Sequence, residues 1–434
     1  MKRCALLPIL VLLAAIPLFP QSDGGSQAVD PHTLNRKLMM GYQGWFLCSG
    51  DGSPVNNWIH WSRRNQAPDP TTVTVDFWPD TTELERDELF ATQFTFADGS
   101  PASLYSAYKG KTVMRHFQWM QNYGLDGVFL QRFSSELRDS RFFNVRNQVA
   151  QNIRAGAEAY GRVFAVMYDI SGQNESTLVQ DLANDWNYLV DTLKITQSPN
   201  YLQHNGKPVL AIWGFGFTDR PGTAAQAQQL ISYLKSEAGP DRQVTLMGGV
   251  PTYWRSLTRD SKTDPAWANV YRSFDILSPW TVGRYSDEAG VDRFCRDLTV
   301  PDLAEAAAGK FEYMPVLFPG FSWRNLNNGL LNQIPRHGGK FYWRQVFNTI
   351  ASGATMIYGA MFDEVDEGTA MYKTAATSRQ MPAQGEFVAL DIDGYSLPSD
   401  WYLRLAGEAT KMLRGEIPLD PQLPLTLPKG RRRR

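Results

Sequence analysis

The sequence predicts an α/β fold, a parallel (β/α)8 barrel with long loops after its first strand. Three observations lead there. Eight continuous apolar runs of strand length follow one another along the chain. Segments of helical periodicity lie between most of them, and polar or aromatic residues gather directly after run upon run. Strands of an all-parallel sheet are covered on both faces, so they read as unbroken apolar runs. A barrel gathers its functional residues at the C-terminal ends of its strands. An open doubly wound sheet would want a glycine-rich phosphate turn after its first strand, and Gly41, Gly44 and Gly50 lack the G-x-G-x-x-G spacing.

The runs, in order, are 38–46 (LMMGYQGWF), 127–133 (GVFLQRF), 163–168 (VFAVMY), 208–213 (PVLAIW), 244–248 (VTLMG), 274–277 (FDIL), 313–318 (YMPVLF) and 354–361 (ATMIYGAM). The clearest helix spans 175–195, where Leu178, Leu182, Trp186, Leu189 and Leu193 recur on one face. Others are read at 145–160, 224–237, 302–308 and 341–352, with 400–414 closing the chain. The barrel is expected over residues 30–415, with a tail at 416–434.

The N-terminus has a signal-peptide layout. Lys2 and Arg3 precede the apolar stretch 5–19, and Pro20, Gln21 and Ser22 lead into polar residues, so 1–22 is read as a cleaved signal. The stretch is short for a bilayer span and is broken by Pro8 and Pro17. The mature chain is expected to be secreted or periplasmic, monomeric and free of the membrane. With 43 basic against 44 acidic residues there is no basic excess for a nucleic-acid surface, and the run Arg431 to Arg434 reads as a solvated end. Cleavage leaves two cysteines, Cys48 and Cys295, for which a disulfide and two free thiols are both open readings. No cofactor motif occurs, and five scattered histidines give no metal spacing.

Chemistry concentrates after the eighth run, where Asp363, Glu364, Asp366 and Glu367 fall within five positions. Four carboxylates beside a buried strand are costly to desolvate. Two of them three residues apart supply the acid and the base of a glycosidase-type site, which makes Glu364 and Glu367 the catalytic candidates. A calcium loop would want D-x-D-x-D-G spacing, which is absent. The rim supplies the substrate-binding candidates: Tyr42 and Trp45 after strand one, Gln131 and Arg132 at strand two, and Tyr168 and Asp169 at strand three. Trp213, Trp280 and Trp323 follow strands four, six and seven, and the first long loop adds His60 and Trp61. Aromatic content of 12%, with 13 Trp, suits sugar platforms as well as a large core. Arg132 is read as the counter-charge to the acidic centre. Aspartate at 169 reads equally as a hydroxyl ligand or a turn cap, and His60 as a ligand or a structural residue.

Two stretches resemble a known family. Gly41-Tyr42-Gln43-Gly44-Trp45-Phe46, followed by Asp51-Gly52 and Asn57-Trp58-Ile59-His60-Trp61, resembles the opening of the glycoside hydrolase family 71/99-like group. These are relatives of the family 99 endo-α-1,2-mannosidases, some of them labelled xylosidase or arabinosidase. Asp363-Glu364-Val365-Asp366-Glu367-Gly368-Thr369 keeps the E-x-x-E-G-T of that family's strand-eight motif, with Val365 and Asp366 where the family has Trp and His. The resemblance implies a barrel hydrolase acting on a glycan without cofactor or metal. In it Glu364 would take the proton of the sugar 2-hydroxyl, and the 2-oxygen would attack the anomeric carbon to form a 1,2-anhydro sugar. Glu367 would protonate the leaving oxygen and later activate water. That route asks for a raised proton affinity at Glu367 and a lower one at Glu364. A carbohydrate-binding pseudoenzyme on the same barrel is the alternative reading.

Overall fold

The computed structural model describes residues 27–428; the expected signal, 1–22, and the basic end, 431–434, lie outside them. All eight apolar runs form parallel strands: β1 (Leu38–Tyr42), β2 (Gly127–Phe133), β3 (Val163–Asp169), β4 (Lys207–Trp213), β5 (Thr245–Val250), β6 (Ile276–Pro279), β7 (Glu312–Tyr313 and Val316–Leu317) and β8 (Ile357–Gly359). Neighbours pair in sequence from β1 through β6, and β1 also pairs with β8.

β7 closes the ring by changing partner along its length. Its first piece pairs with β6 and its second with β8. Between the pieces stand Met314, whose N–H still donates to the Leu277 carbonyl, and Pro315, whose carbonyl accepts from Tyr358 N–H. Proline has no N–H to give to a ladder, so the strand divides there.

Among the described residues, nine α-helices of seven residues or more run from α1 (Gly110–Tyr123) through α2 (Ser140–Tyr160), α3 (Leu178–Asp191), α4 (Ala224–Ser232), α5 (Ala266–Arg272), α6 (Glu288–Phe294), α7 (Val300–Gly309) and α8 (Lys340–Ala351) to α9 (Trp401–Arg414). In α3 the expected stripe is buried: Leu178, Leu182, Trp186 and Leu189 face the strands, while Leu193 falls beyond the last turn. Burying each such leucine contributes about 1.5–3 kcal/mol. Helix α1 is not among the expected helices. Its buried face carries Thr112 and His116 among Val113, Phe117 and Met120, and the two polar residues break the apolar stripe.

Two expected boundaries change. β1 ends at Tyr42 rather than 46, because Gly44 turns the chain outward at φ +57. The described part of the tail, 416–428, lies against the barrel, since Leu423, Leu425 and Leu427 pack on the core and Trp343 Nε1 donates to the Asp420 carbonyl at 3.1 Å. No helix among the described residues is long and apolar enough to cross a membrane. The two cysteines are free thiols: Cys48 is buried and donates to the Tyr105 carbonyl, and Cys295 lies against Ser352.

Between β1 and α1 the chain makes its longest excursion, residues 43–109. It carries an antiparallel hairpin (Phe90–Thr95 with Pro101–Leu104) and bridges at Leu47 with Ile59 and Ser62 with Val73. This excursion walls one side of the rim at the C-terminal ends of the strands.

Candidate active site

The acidic stretch after β8 forms a tightly bonded loop rather than a helix start. Thr369 and Ala370 N–H donate to the Glu364 carbonyl, Met371 N–H to that of Met361, and Tyr372 N–H to that of Phe362. Other parts of the chain hold it from outside. Phe362 N–H donates to the Gly41 carbonyl in β1, Asp76 and Phe77 N–H to that of Val365, and Ser322 N–H to that of Glu367. Arg336, flattened between Phe77 and Tyr402, donates from Nη2 to the carbonyls of Gly368 and Ala370 at 2.8 Å each. Gly368 sits at φ +68, where a Cβ would come within 2.8 Å of Ser322 N, so the glycine of E-x-x-E-G-T answers to a backbone requirement.

The four carboxylates turn to four different surroundings. Asp363 accepts from the N–H groups of Gln43 (2.7 Å) and Gly44 (2.9 Å), stitching the loop to the end of β1. Glu364 is buried, with Oε1 accepting from Gln43 Nε2 at 2.5 Å and Oε2 from Thr369 Oγ1 at 2.6 Å. Asp366 lies 3.4 Å from Nδ1 of His60. Glu367 lines a cavity of about 440 Å³ that opens at the rim, a size in the range of small-ligand sites.

Around Glu367 the cavity is walled by Trp45, Trp213 and Trp280, with Gln131, Asp169 and His60 supplying polar groups. Trp45 stacks on His60 with ring centroids 3.8 Å apart. Gln131 Nε2 donates to the Tyr358 hydroxyl at 2.9 Å, and Asp169 accepts from Ser171 N–H at 2.7 Å, so it caps a turn while facing the cavity.

Strand parity separates these residues from the other candidates. Gln131 and Asp169 point into the barrel. Arg132 and Tyr168, opposite one another in register on β2 and β3, point out toward α3. There Asp185 accepts from Arg132 Nε and Nη2 at 2.6 Å each and from the Tyr168 hydroxyl at 2.6 Å. Arg132 is therefore no counter-charge to the acidic loop. Tyr42 also lies behind the wall, with its hydroxyl 2.8 Å from His116 Nδ1, and Trp61 is buried against Phe46. Trp323 packs on Phe321 away from the cavity lining.

The sequence reading missed four residues that matter here: Gln43, Thr369, Tyr358 and Arg220. Parity could have found Gln43, which lies one residue beyond β1 and continues the alternation that turns Gly41 inward. Arg220, on the loop after β4, reaches the wall over the Trp213 ring at 5.2 Å and left no periodic trace.

Burial governs the electrostatics. It pushes Asp363 up to about 7, against the pull of the two N–H donors, and Asp366 up to about 8. Glu367 rises to about 7, first through burial and then through Asp366, with Arg220 pulling the other way. Glu364 is also raised, by burial and then by Glu367 and Asp366, while the donors Thr369 and Gln43 oppose the rise. Burial and the neighbouring carboxyls thus work against the lower proton affinity expected at Glu364, and its two hydrogen-bond donors work for it. His60 is held neutral, down to about 3 by burial, so at neutral pH its contact with Asp366 joins an uncharged imidazole to a largely protonated carboxyl.

A stability prediction arises here. An unfolded chain releases these carboxyl protons near pH 4, whereas the folded chain holds them until about pH 7–8. The folded state binds more protons across that window, so stability falls as pH climbs through it. Melting temperature is expected to be higher at pH 5 than at pH 8, with a shallower slope in Asp366→Asn; an equal slope in wild type and variant would refute this.

No protein-family model matches the chain, and no curated protein does. Solved structures do. The GH99 endo-alpha-mannosidase from Bacteroides thetaiotaomicron superposes with a TM-score of 0.63, covering 88% of this chain and 99% of its own at 14% identity. The same enzyme in complex with bis-tris propane gives 0.62 at the same identity and coverage. A glycoside hydrolase-like protein gives 0.51, covering 79% of this chain and 97% of its own, again at 14% identity. The shared feature is the fold: this chain has the barrel of these glycoside hydrolase structures.

Proposed function

We propose that the chain is a glycoside hydrolase with Glu367 as general acid and Glu364 as its partner base, acting outside the cytoplasm on an oligo- or polysaccharide. One observation carries the reading. Glu367 faces a tryptophan-walled cavity at the C-terminal end of β8 with its carboxyl raised to about 7, and it lies close enough to Glu364 to raise that carboxyl as well. A carboxyl near 7 is half protonated at neutral pH, which suits an acid that later acts as a base. The likeness to the GH99 barrel supports the same assignment.

In this reading a sugar ring lies against the Trp45, Trp213 and Trp280 wall, with its anomeric carbon over Glu367. Glu364 takes the 2-hydroxyl proton as the 2-oxygen closes on the anomeric carbon, and the C–O bond to the leaving sugar breaks as Glu367 supplies its proton. Water then opens the 1,2-anhydro ring, giving its proton to Glu367 while Glu364 returns one to the 2-oxygen. Two displacements at the anomeric carbon restore its configuration. The test is hydrolysis of a glycan panel, α-mannosides first, with the anomer of the fresh product read by ¹H NMR. Net retention is expected. Inversion would remove the anhydro route, and binding of a glycan without cleavage would remove the hydrolase.

A further inference from the structure

Burial raises both glutamates, Glu364 well above its ordinary range, so what makes one the acid and the other the base must come from their hydrogen bonds. Hydrogen bonding differs sharply between them. Both oxygens of Glu364 accept short bonds, from Gln43 Nε2 at 2.5 Å and Thr369 Oγ1 at 2.6 Å. The Glu367 carboxyl receives no protein hydrogen bond among the described residues. Donors favour the ionised form of a carboxyl, and when two carboxyls share a proton it settles on the one without them.

Gln43 is built to hold this position. Its backbone N–H is clamped by Asp363 Oδ1, and that of Gly44 by Asp363 Oδ2, so the side chain leaves from a fixed point at the end of β1. Its own Oε1 is buried without a partner. A buried amide oxygen left unsatisfied is costly, and a charge-assisted bond from the same amide offsets that cost better than a neutral one. This orientation therefore favours an anionic Glu364.

We propose that Gln43 is the positioning residue that divides the labour: its amide keeps Glu364 ionised and aimed, so that the proton of the pair rests on Glu367. The proposal rests on the hydrolase reading for its purpose, but its electrostatic content stands apart from turnover. The groups facing the pair come from several elements. Asp366 on the same loop raises both carboxyls, Asp169 on β3 favours the proton on Glu367, and Tyr358 on β8 feels the charge of Glu364. Arg220, from the loop after β4, favours the ionised form of Glu367 and works against the division. The two short bonds to Glu364 must outweigh it together with the burial and the neighbouring Asp366 that raise Glu364.

The test is a pH titration of the side-chain carboxyl carbons in ¹³C-glutamate-labelled full-length protein, with Glu364 and Glu367 assigned from Glu364→Gln and Glu367→Gln. Glu364 is expected to titrate below Glu367 in the wild type. Gln43→Met should raise the Glu364 midpoint by about one pH unit or more, a tenfold or larger change in proton affinity. Gln43→Glu, nearly equal in size, should move it the same way should the methionine variant fold poorly. With a cleaved glycan in hand, the acid limb of kcat/KM should follow that shift while KM stays within about twofold. A Glu364 midpoint unmoved in both variants, or one lying above Glu367 in the wild type, overturns the proposal. The titration needs no substrate: a shift without glycan cleavage defeats the hydrolase reading alone, and cleavage without a shift defeats the role of Gln43 alone.

Discussion

Glutamine in place of Glu367 is expected to lower kcat/KM by about 10²- to 10⁴-fold, the usual contribution of a positioned proton donor. The fold should survive. The wild-type carboxyl is raised to about 7, so a neutral amide replaces a group already half neutral at that pH, and the loop is held by backbone bonds that the change leaves in place. Glycan binding should persist, because the tryptophan wall is untouched. Measuring kcat/KM together with binding and melting temperature separates lost chemistry from lost structure. Turnover within about twofold of wild type would sink the assignment of Glu367 as the acid.

The second large effect lies far from the cavity. Asp185→Ala is expected to destabilise the protein by about 3–5 kcal/mol, the cost of stranding one member of a buried ion pair. Asp185 serves Arg132 through two bonds and Tyr168 through a third, and the Arg132 Nη1 already lacks a partner. Removing the arginine as well, in Arg132→Met with Asp185→Leu, should recover part of the loss, since an apolar pair carries no desolvation cost. Activity per folded molecule should stay near wild type in both, because this cluster faces α3 and not the cavity. Denaturant midpoints and specific activity together check it, and an unchanged midpoint in Asp185→Ala would refute the account.

That second case shows where the sequence could and could not be read. Strand identity was legible because a buried parallel strand announces itself by unbroken apolarity, and all eight runs became strands. The same apolarity hides which face is which. Arg132 and Tyr168 stand beside Gln131 and Asp169, and only the pairing register shows that the first two turn outward. The loop glutamates were legible through charge crowding after β8. Arg220 was not, because a loop arginine leaves no periodic or compositional mark; Gln43 is marked by strand parity alone, since a neutral amide adds no charge to the pattern.

The bond between Gln43 and Glu364 joins residues 321 positions apart, and the Asp363 clamp on the same turn spans 320. The carboxylate pair is thus held between the turn after the first strand and the loop after the last. Contacts so distant in the chain must pay for closing a very long loop before they contribute, which makes folding slow. During synthesis, the turn that carries Gln43 waits for nearly the whole barrel to emerge before it meets its partner. A competent carboxylate pair can therefore exist only in a ring that has already closed, so appearance of activity during refolding is a clock for the last step of assembly.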